Sequence, residues 1–150
     1  MDRANVLIIG GGVIGCAIAR EVSQQWQDVF LVEQFPKLGM ATSTRNSGVI
    51  HSGIYYPKGS LKARHCVEGN RLSYEFCVKH NVPYRKTGKL VVATNASEEH
   101  ELEALAQRGR ENGVEGLTIV GPKEIQARDP GGTRGRSVAT VPGYPPAIQD

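Results

Sequence analysis

The 150 residues carry 18 Lys+Arg against 15 Asp+Glu, a formal charge of +3 with neutral histidines, so no strong field is available to hold nucleic acid or an anionic lipid surface. Apolar residues make up 39% and charged ones 22%, which excludes a disordered chain and suits one domain; the length is short for an enzyme with separate cofactor and substrate domains. Glycine is the outlier at 18 residues, an excess that points to tight turns or to a backbone approached closely by a ligand.

An apolar run at 5–9 opens the chain, followed by Gly10, Gly11 and Gly12, a helical stretch from Val13 to about Gln25, and a second apolar run from Val29 to Val32. Asp2 and the glycines argue against a secretory signal peptide and for a strand. Two nearly continuous apolar strands joined by a helix predict a β-α-β unit whose parallel sheet is covered on both faces. From Gln34 to about Gly59 no period is sustained, and a long loop is expected. Ser60 is placed to cap a helix running to about His80, with Val67, Leu72 and Phe76 as core candidates and Asn81 and Pro83 as its stop. Gly88 to Ala93 reads as a strand. Ser97 can cap a further helix carrying Leu102, Leu105 and Ala106, stopped by Asn112-Gly113.

Leu117 to Val120 is one more strand candidate, and Pro122 opens a short helix through Arg128. Four of the eight prolines and four glycines fall between Pro130 and Pro146, so a domain over 1–130 and a Pro/Gly-rich tail over 131–150 without strand or helix signal are expected. Cys16, Cys66 and Cys77 form no C-x-x-C pair and read as reduced, buried thiols in a cytoplasmic setting; Cys66 and Cys77 would share one helix face. No stretch approaches the roughly 20 apolar residues a bilayer demands, so the expectation is no transmembrane segment and at most a peripheral membrane contact. His65, His80 and His100 have no metal-ligand spacing, and no metal site is assigned.

Gly10, Gly12 and Gly15 form G-x-G-x-x-G between a strand and a helix, the context that gives this short motif its weight. Gly10 permits the tight turn, Gly12 lets a diphosphate approach the backbone, and Gly15 lets helix and strand pack closely. The helix start offers N–H groups and a positive dipole end to the phosphates. Glu33 ends the second strand, 18 residues beyond Gly15, where a carboxylate accepts from both ribose hydroxyls and repels a 2′-phosphate; FAD or NAD is favoured over NADP. The hydroxyl- and amide-rich segment from Ala41 to Tyr56 suits either a large polar cofactor or a solvated, turn-rich loop.

The run Thr42-Ser43-Thr44-Arg45-Asn46-Ser47-Gly48-Val49-Ile50-His51-Ser52-Gly53-Ile54-Tyr55-Tyr56, continuing through Gly69, resembles the flavin loop and following helix of FAD-dependent oxidoreductases of the D-amino-acid oxidase superfamily. Within it the chain is similar to L-2-hydroxyglutarate dehydrogenases and oxidases over about residues 4 to 130. The resemblance implies an α/β, Rossmann-like FAD-binding domain, incomplete relative to the family. It implies that Gly10, Gly12, Val13 and Ile14 contact the FAD diphosphate, that Glu33 holds the adenosine ribose, and that Thr42 and Ser43 lie near the phosphates. It also places Asn46, Ser47, Gly48 and His51 on the flavin side. Hydride would pass from the carbon bearing the hydroxyl of a small 2-hydroxy acid to flavin N5, giving a 2-oxo acid, with oxygen, a quinone or a carrier protein as the final acceptor.

His51 is the candidate catalytic residue, because an imidazole can take the hydroxyl proton as hydride leaves; orienting the flavin and a structural role are its other readings. Arg45 is read as a surface charge or as a two-pronged contact for a substrate carboxylate. Relatives often carry glycine and histidine where Thr44 and Arg45 stand. Tyr55 and Tyr56 are expected to pack against the helix after Ser60, or to line a pocket. Relatives are much longer, so a truncated or frameshifted product, with sheet edges and apolar faces uncovered, is also an expectation. Three functional readings follow: a flavin oxidoreductase acting on L-2-hydroxyglutarate, one acting on an amino acid or glycerol 3-phosphate, and a non-catalytic nucleotide-binding fragment.

Overall fold

A computed structural model describes residues 3–128, 135 and 137–141. The chain divides into two compact units, Met1–Val49 and Ile50–Asp150. In the first, β1 (Val6–Ile9) and β2 (Val29–Val32) pair in parallel with Val6 opposite Val29 and Ile9 opposite Val32, joined by α1 (Val13–Val22). The Gly10 N–H donates to the Val32 carbonyl at 2.8 Å and carries the ladder one step beyond β1. The β-α-β unit expected from two apolar runs is therefore present.

Helix α1 ends at Val22 rather than near Gln25, because the chain tightens there: Gln24, Gln25 and Trp26 donate to Glu21, Val22 and Val22, and Asp28 takes a φ of 54° to redirect the chain into β2. Within the described residues of this unit α1 is the helix that packs on the two strands, and burial on both faces is not seen there. Ile8 is buried, whereas Leu7, Phe30 and Val32 are half-exposed and Ile9 is 83% exposed.

The second unit holds α2 (Leu61–Lys79), β3 (Lys89–Ala93), α3 (Ala96–Glu111), β4 (Thr118–Val120), α4 (Pro122–Arg128) and β5 (Ser137–Val141). Its three-stranded sheet has the order β3-β5-β4, antiparallel throughout, with Lys89 opposite Val141 and Thr118 opposite Thr140. Strand β5 lies in the tail, where the sequence carries no strong strand signal. Ser137-Val138-Ala139-Thr140-Val141 is a five-residue segment of small and β-branched residues, masked in sequence by the prolines and glycines around it; pairing on both edges makes it a strand. The rest of the predicted tail, residues 131–134, 136 and 142–150, lies outside the described residues.

Ser60 caps α2 as expected, accepting from the Ala63 N–H at 3.1 Å. Helix α3 is capped two residues earlier than the Ser97 reading: the Asn95 side chain accepts from the Glu98 N–H at 3.0 Å, while the Glu98 carboxylate returns to the Thr94 N–H and hydroxyl at 2.7 and 2.8 Å. This reciprocal arrangement satisfies helix-end donors that Ser97, already inside the helix, cannot reach. The core has two centres, Ile54 with Ala106, Val114 and Leu117, and Ala93 with Leu102 and Ala139. Leu72 and Phe76 are 45% and 46% exposed and leave the predicted core, since α2 buries only Ala63 fully. The three cysteines are unpaired and partly buried, not fully buried as expected. Among the described residues no helix is long and apolar enough to cross a membrane.

Ile54 is the largest fully buried side chain, 1% exposed. Truncation in Ile54→Ala is expected to cost about 2–5 kcal/mol, measured as a lowered urea midpoint for the second unit.

Candidate functional site

The glycine turn is built by close approach. Gly10 has a φ of +104°, a region L side chains avoid, and a Cβ on Gly15 would overlap the Gly10 carbonyl oxygen. Both positions therefore admit only glycine without displacing backbone, as the motif predicted. Gly12 is the N-cap of α1 and has no side chain to cap with. Ser43 replaces it from thirty residues away, its hydroxyl oxygen accepting from the Val13 N–H at 2.8 Å. The N–H groups of Gly12, Ile14 and Gly15 find no acceptor among the described residues. Three open amides at a helix start, at the positive end of the helix dipole, can receive an anion without a basic side chain.

Glu33 stands against the same turn. One carboxylate oxygen accepts from the Gly11 N–H at 2.7 Å and the other from the Phe35 N–H at 3.0 Å. The Phe35 and Gly11 amides hold this carboxyl below its ordinary range, so it is an anion at any pH near neutrality. Each oxygen keeps lone-pair capacity for one more donor, the requirement for gripping a vicinal diol.

Gly11, an x position in the motif, escaped the sequence reading. Its N–H orients Glu33, its carbonyl accepts from the Gly39 N–H at 2.9 Å, and a Cβ there would collide with Leu38 and crowd Glu33. The unbroken run of three glycines was the signal available.

The hydroxyl-rich segment folds on itself. Asn46 donates to the Thr42 and Ser43 carbonyls at 3.2 and 2.9 Å and accepts from the Gly48 N–H at 2.8 Å, where Gly48 takes a φ of +66°. Thr44 donates to the Gly39 carbonyl at 2.6 Å. Thr42, Ser47 and Arg45 are exposed.

Thus Gly10, Gly12, Val13, Ile14, Gly15, Glu33 and Ser43 gather around the turn in the first unit, with Asn46 and Gly48 setting the local fold beside Ser43. His51 belongs to the second unit, its side chain exposed and its carbonyl accepting from Asn70 at 3.2 Å. Tyr56 lies beneath Lys62 of α2, 4.7 Å from ring centroid to nitrogen, and Tyr55 meets Lys89 of β3 at 4.5 Å. Among the described residues no cluster of three His, Cys, Asp or Glu could hold a metal ion.

Residues 5–144 match the FAD dependent oxidoreductase family, DAO, and the chain belongs to it. It is 42% identical over 129 residues to the mitochondrial L-2-hydroxyglutarate dehydrogenase of Arabidopsis thaliana, covering 86% of this chain and 27% of that protein. With the human protein of the same name it shares 39% over 128 residues, 84% of this chain and 28% of that one. Among solved structures it superimposes on the FAD-bound L-alpha-glycerophosphate oxidase of Mycoplasma pneumoniae with a TM-score of 0.79 at 35% identity, covering 95% of this chain and 38% of that chain. The glycine oxidase of Geobacillus kaustophilus shares the fold at 22% identity and a TM-score of 0.71. The chain spans less than a third of the length of the curated relatives it matches. The family match runs past residue 130, through the β5 segment.

The lowered proton affinity of Glu33 sets a pH dependence. Its two amide bonds contribute stability above the ordinary carboxyl value of 4.5, and that contribution disappears as pH falls through the lowered folded-state value. Thermal unfolding midpoints should therefore hold level from neutrality to about pH 5 and decline below; Glu33→Gln should lie lower at neutrality and lose part of that acid decline.

Proposed function

We propose that this chain binds FAD and belongs to an oxidoreductase that oxidises a 2-hydroxy acid, L-2-hydroxyglutarate, to the 2-oxo acid. The observation that carries the reading is the juxtaposition of three unpartnered amides, on Gly12, Ile14 and Gly15, with a carboxylate already oriented by Gly11 and Phe35. The amides, with Gly10 and Val13 of the same turn and Thr42 and Ser43 nearby, would hold the diphosphate; Glu33 would hold the adenosine ribose and repel a 2′-phosphate. Residues 1–130 would supply most of this N-terminal part of the flavin domain, with Asn46, Ser47 and Gly48 beside the flavin.

When bound, FAD supplies a two-electron acceptor that takes hydride at N5. His51 takes the proton of the substrate hydroxyl at an imidazole nitrogen while the carbon–hydrogen bond breaks, so that the carbonyl forms without a free alkoxide. The relatives named L-2-hydroxyglutarate dehydrogenase support the substrate. The glycerophosphate oxidase match supports a second reading, glycerol 3-phosphate, which shares a secondary alcohol near an anionic group. Three unpaired cysteines suit a reducing compartment, the cytoplasm, although the relatives' names carry the word mitochondrial.

Substrate-dependent bleaching of bound flavin, followed with an artificial electron acceptor, tests the assignment over L-2-hydroxyglutarate, its D-enantiomer, glycerol 3-phosphate and glycine. Bleaching by L-2-hydroxyglutarate alone is expected; preference for glycerol 3-phosphate favours the second reading, and bound flavin that no substrate bleaches contradicts both. In the same assay His51→Asn should lower kcat by about 10²–10⁴-fold and retain FAD.

A further inference from the structure

We infer that Asn112, at the end of α3, is a positioning residue that fixes the turn following His51. Its side-chain nitrogen donates both hydrogens to carbonyls of one turn, to Gly53 at 3.1 Å and to Tyr56 at 2.8 Å, across 59 and 56 residues of sequence. Because both partners are carbonyl oxygens, only the NH₂ end of the amide can face them.

The other end of that amide bears on the residue's role. Asn112 Oδ1 is buried and finds no hydrogen-bond partner among the described residues. Native structures leave few buried polar atoms unsatisfied, and a space-filling role would be served better by an apolar side chain. What asparagine offers at this position is the pair of N–H donors.

The turn is held at two further points. Asn70 of α2 donates to the His51 carbonyl at 3.2 Å, and Ile54 is sunk into the core against Ala106, Val114 and Leu117. Gly53, buried with a φ of +90°, brings the backbone so close to α2 that a Cβ would stand 2.8 Å from Val67 Cγ2. A cavity of about 640 Å³ lined by Ser52, Val67, Asn70, Asn112 and Val114 adjoins the turn, so packing on that side does not duplicate the asparagine bonds. The backbone of 51–56 is thereby fixed while His51 and Tyr55 keep exposed side chains. A rigid backbone under exposed polar groups is what a residue needs to meet a ligand at a set geometry. The purpose assigned to the turn rests on the flavin reading; the hold itself rests on the hydrogen bonds.

Amide hydrogen exchange on the full chain, with and without FAD, tests this in Asn112→Asp and Asn112→Ala. The first preserves shape while removing both donors; the second removes the group. In both, amides of Gly53–Tyr56 should exchange about tenfold faster or more, those of β3 and the first turns of α3 should keep their rates, and the absorption spectrum of bound flavin should shift. Unchanged exchange at Gly53–Tyr56 would overturn the inference. So would equal acceleration throughout the second unit, which marks general destabilisation, or a loosened turn with an unaltered flavin spectrum. If the unaltered chain takes up no FAD, the flavin reading fails separately, and the exchange rates still decide whether Asn112 holds the turn.

Discussion

The hydrogen bonds from Gly11 and Phe35 to the two oxygens of Glu33 are the constraint on which the first unit depends. They tie the glycine turn after β1 to the residue that leaves β2, so the spacing of the strands becomes the spacing between an anion site and a carboxylate. The turn can approach Glu33 only because Gly11 lacks a Cβ, and α1 can start where it does only because Gly15 clears the Gly10 carbonyl. Local backbone freedom, sheet pairing and cofactor chemistry meet at the six consecutive positions 10–15.

That unit places most of its order at its site. Apart from Ile8, its large apolar side chains remain at least partly exposed, and among the described residues β1 and β2 pair only with each other. A ligand that satisfies the open amides of Gly12, Ile14 and Gly15 and accepts the grip of Glu33 would therefore supply a larger share of this unit's stability than of one with a large core. Binding at a hundredfold excess over Kd contributes about 2.7 kcal/mol to the folded state, a sizeable share of a small domain's stability.

Much of the fold was legible because its signals are local. The β-α-β unit followed from two apolar runs and a glycine turn, and the Ser60 cap from a hydroxyl before a helical pattern. The misses have tertiary causes. Strand β5 takes its identity from pairing with both β3 and β4. The cap at Asn95 depends on Glu98 returning to Thr94, which spacing alone does not choose over Ser97. Leu72 and Phe76 have the spacing of a core face, but no element among the described residues buries them fully.

At the site, Gly10, Gly12, Gly15 and Glu33 could be read directly. Ser43 as the cap of α1 could not, because thirty residues separate it from Val13. Asn112 reads in sequence as a helix stop, and its hold on the turn after His51 is visible only in three dimensions.

Calorimetric titration with FAD and, separately, with FMN tests the central claim most directly, because FMN lacks the second phosphate and the adenosine that the glycine turn and Glu33 would hold. The account predicts that FAD binds at least a hundredfold more tightly and that ADP competes with it. Equal affinity for the two flavins, or binding of FAD that ADP leaves untouched, would contradict it.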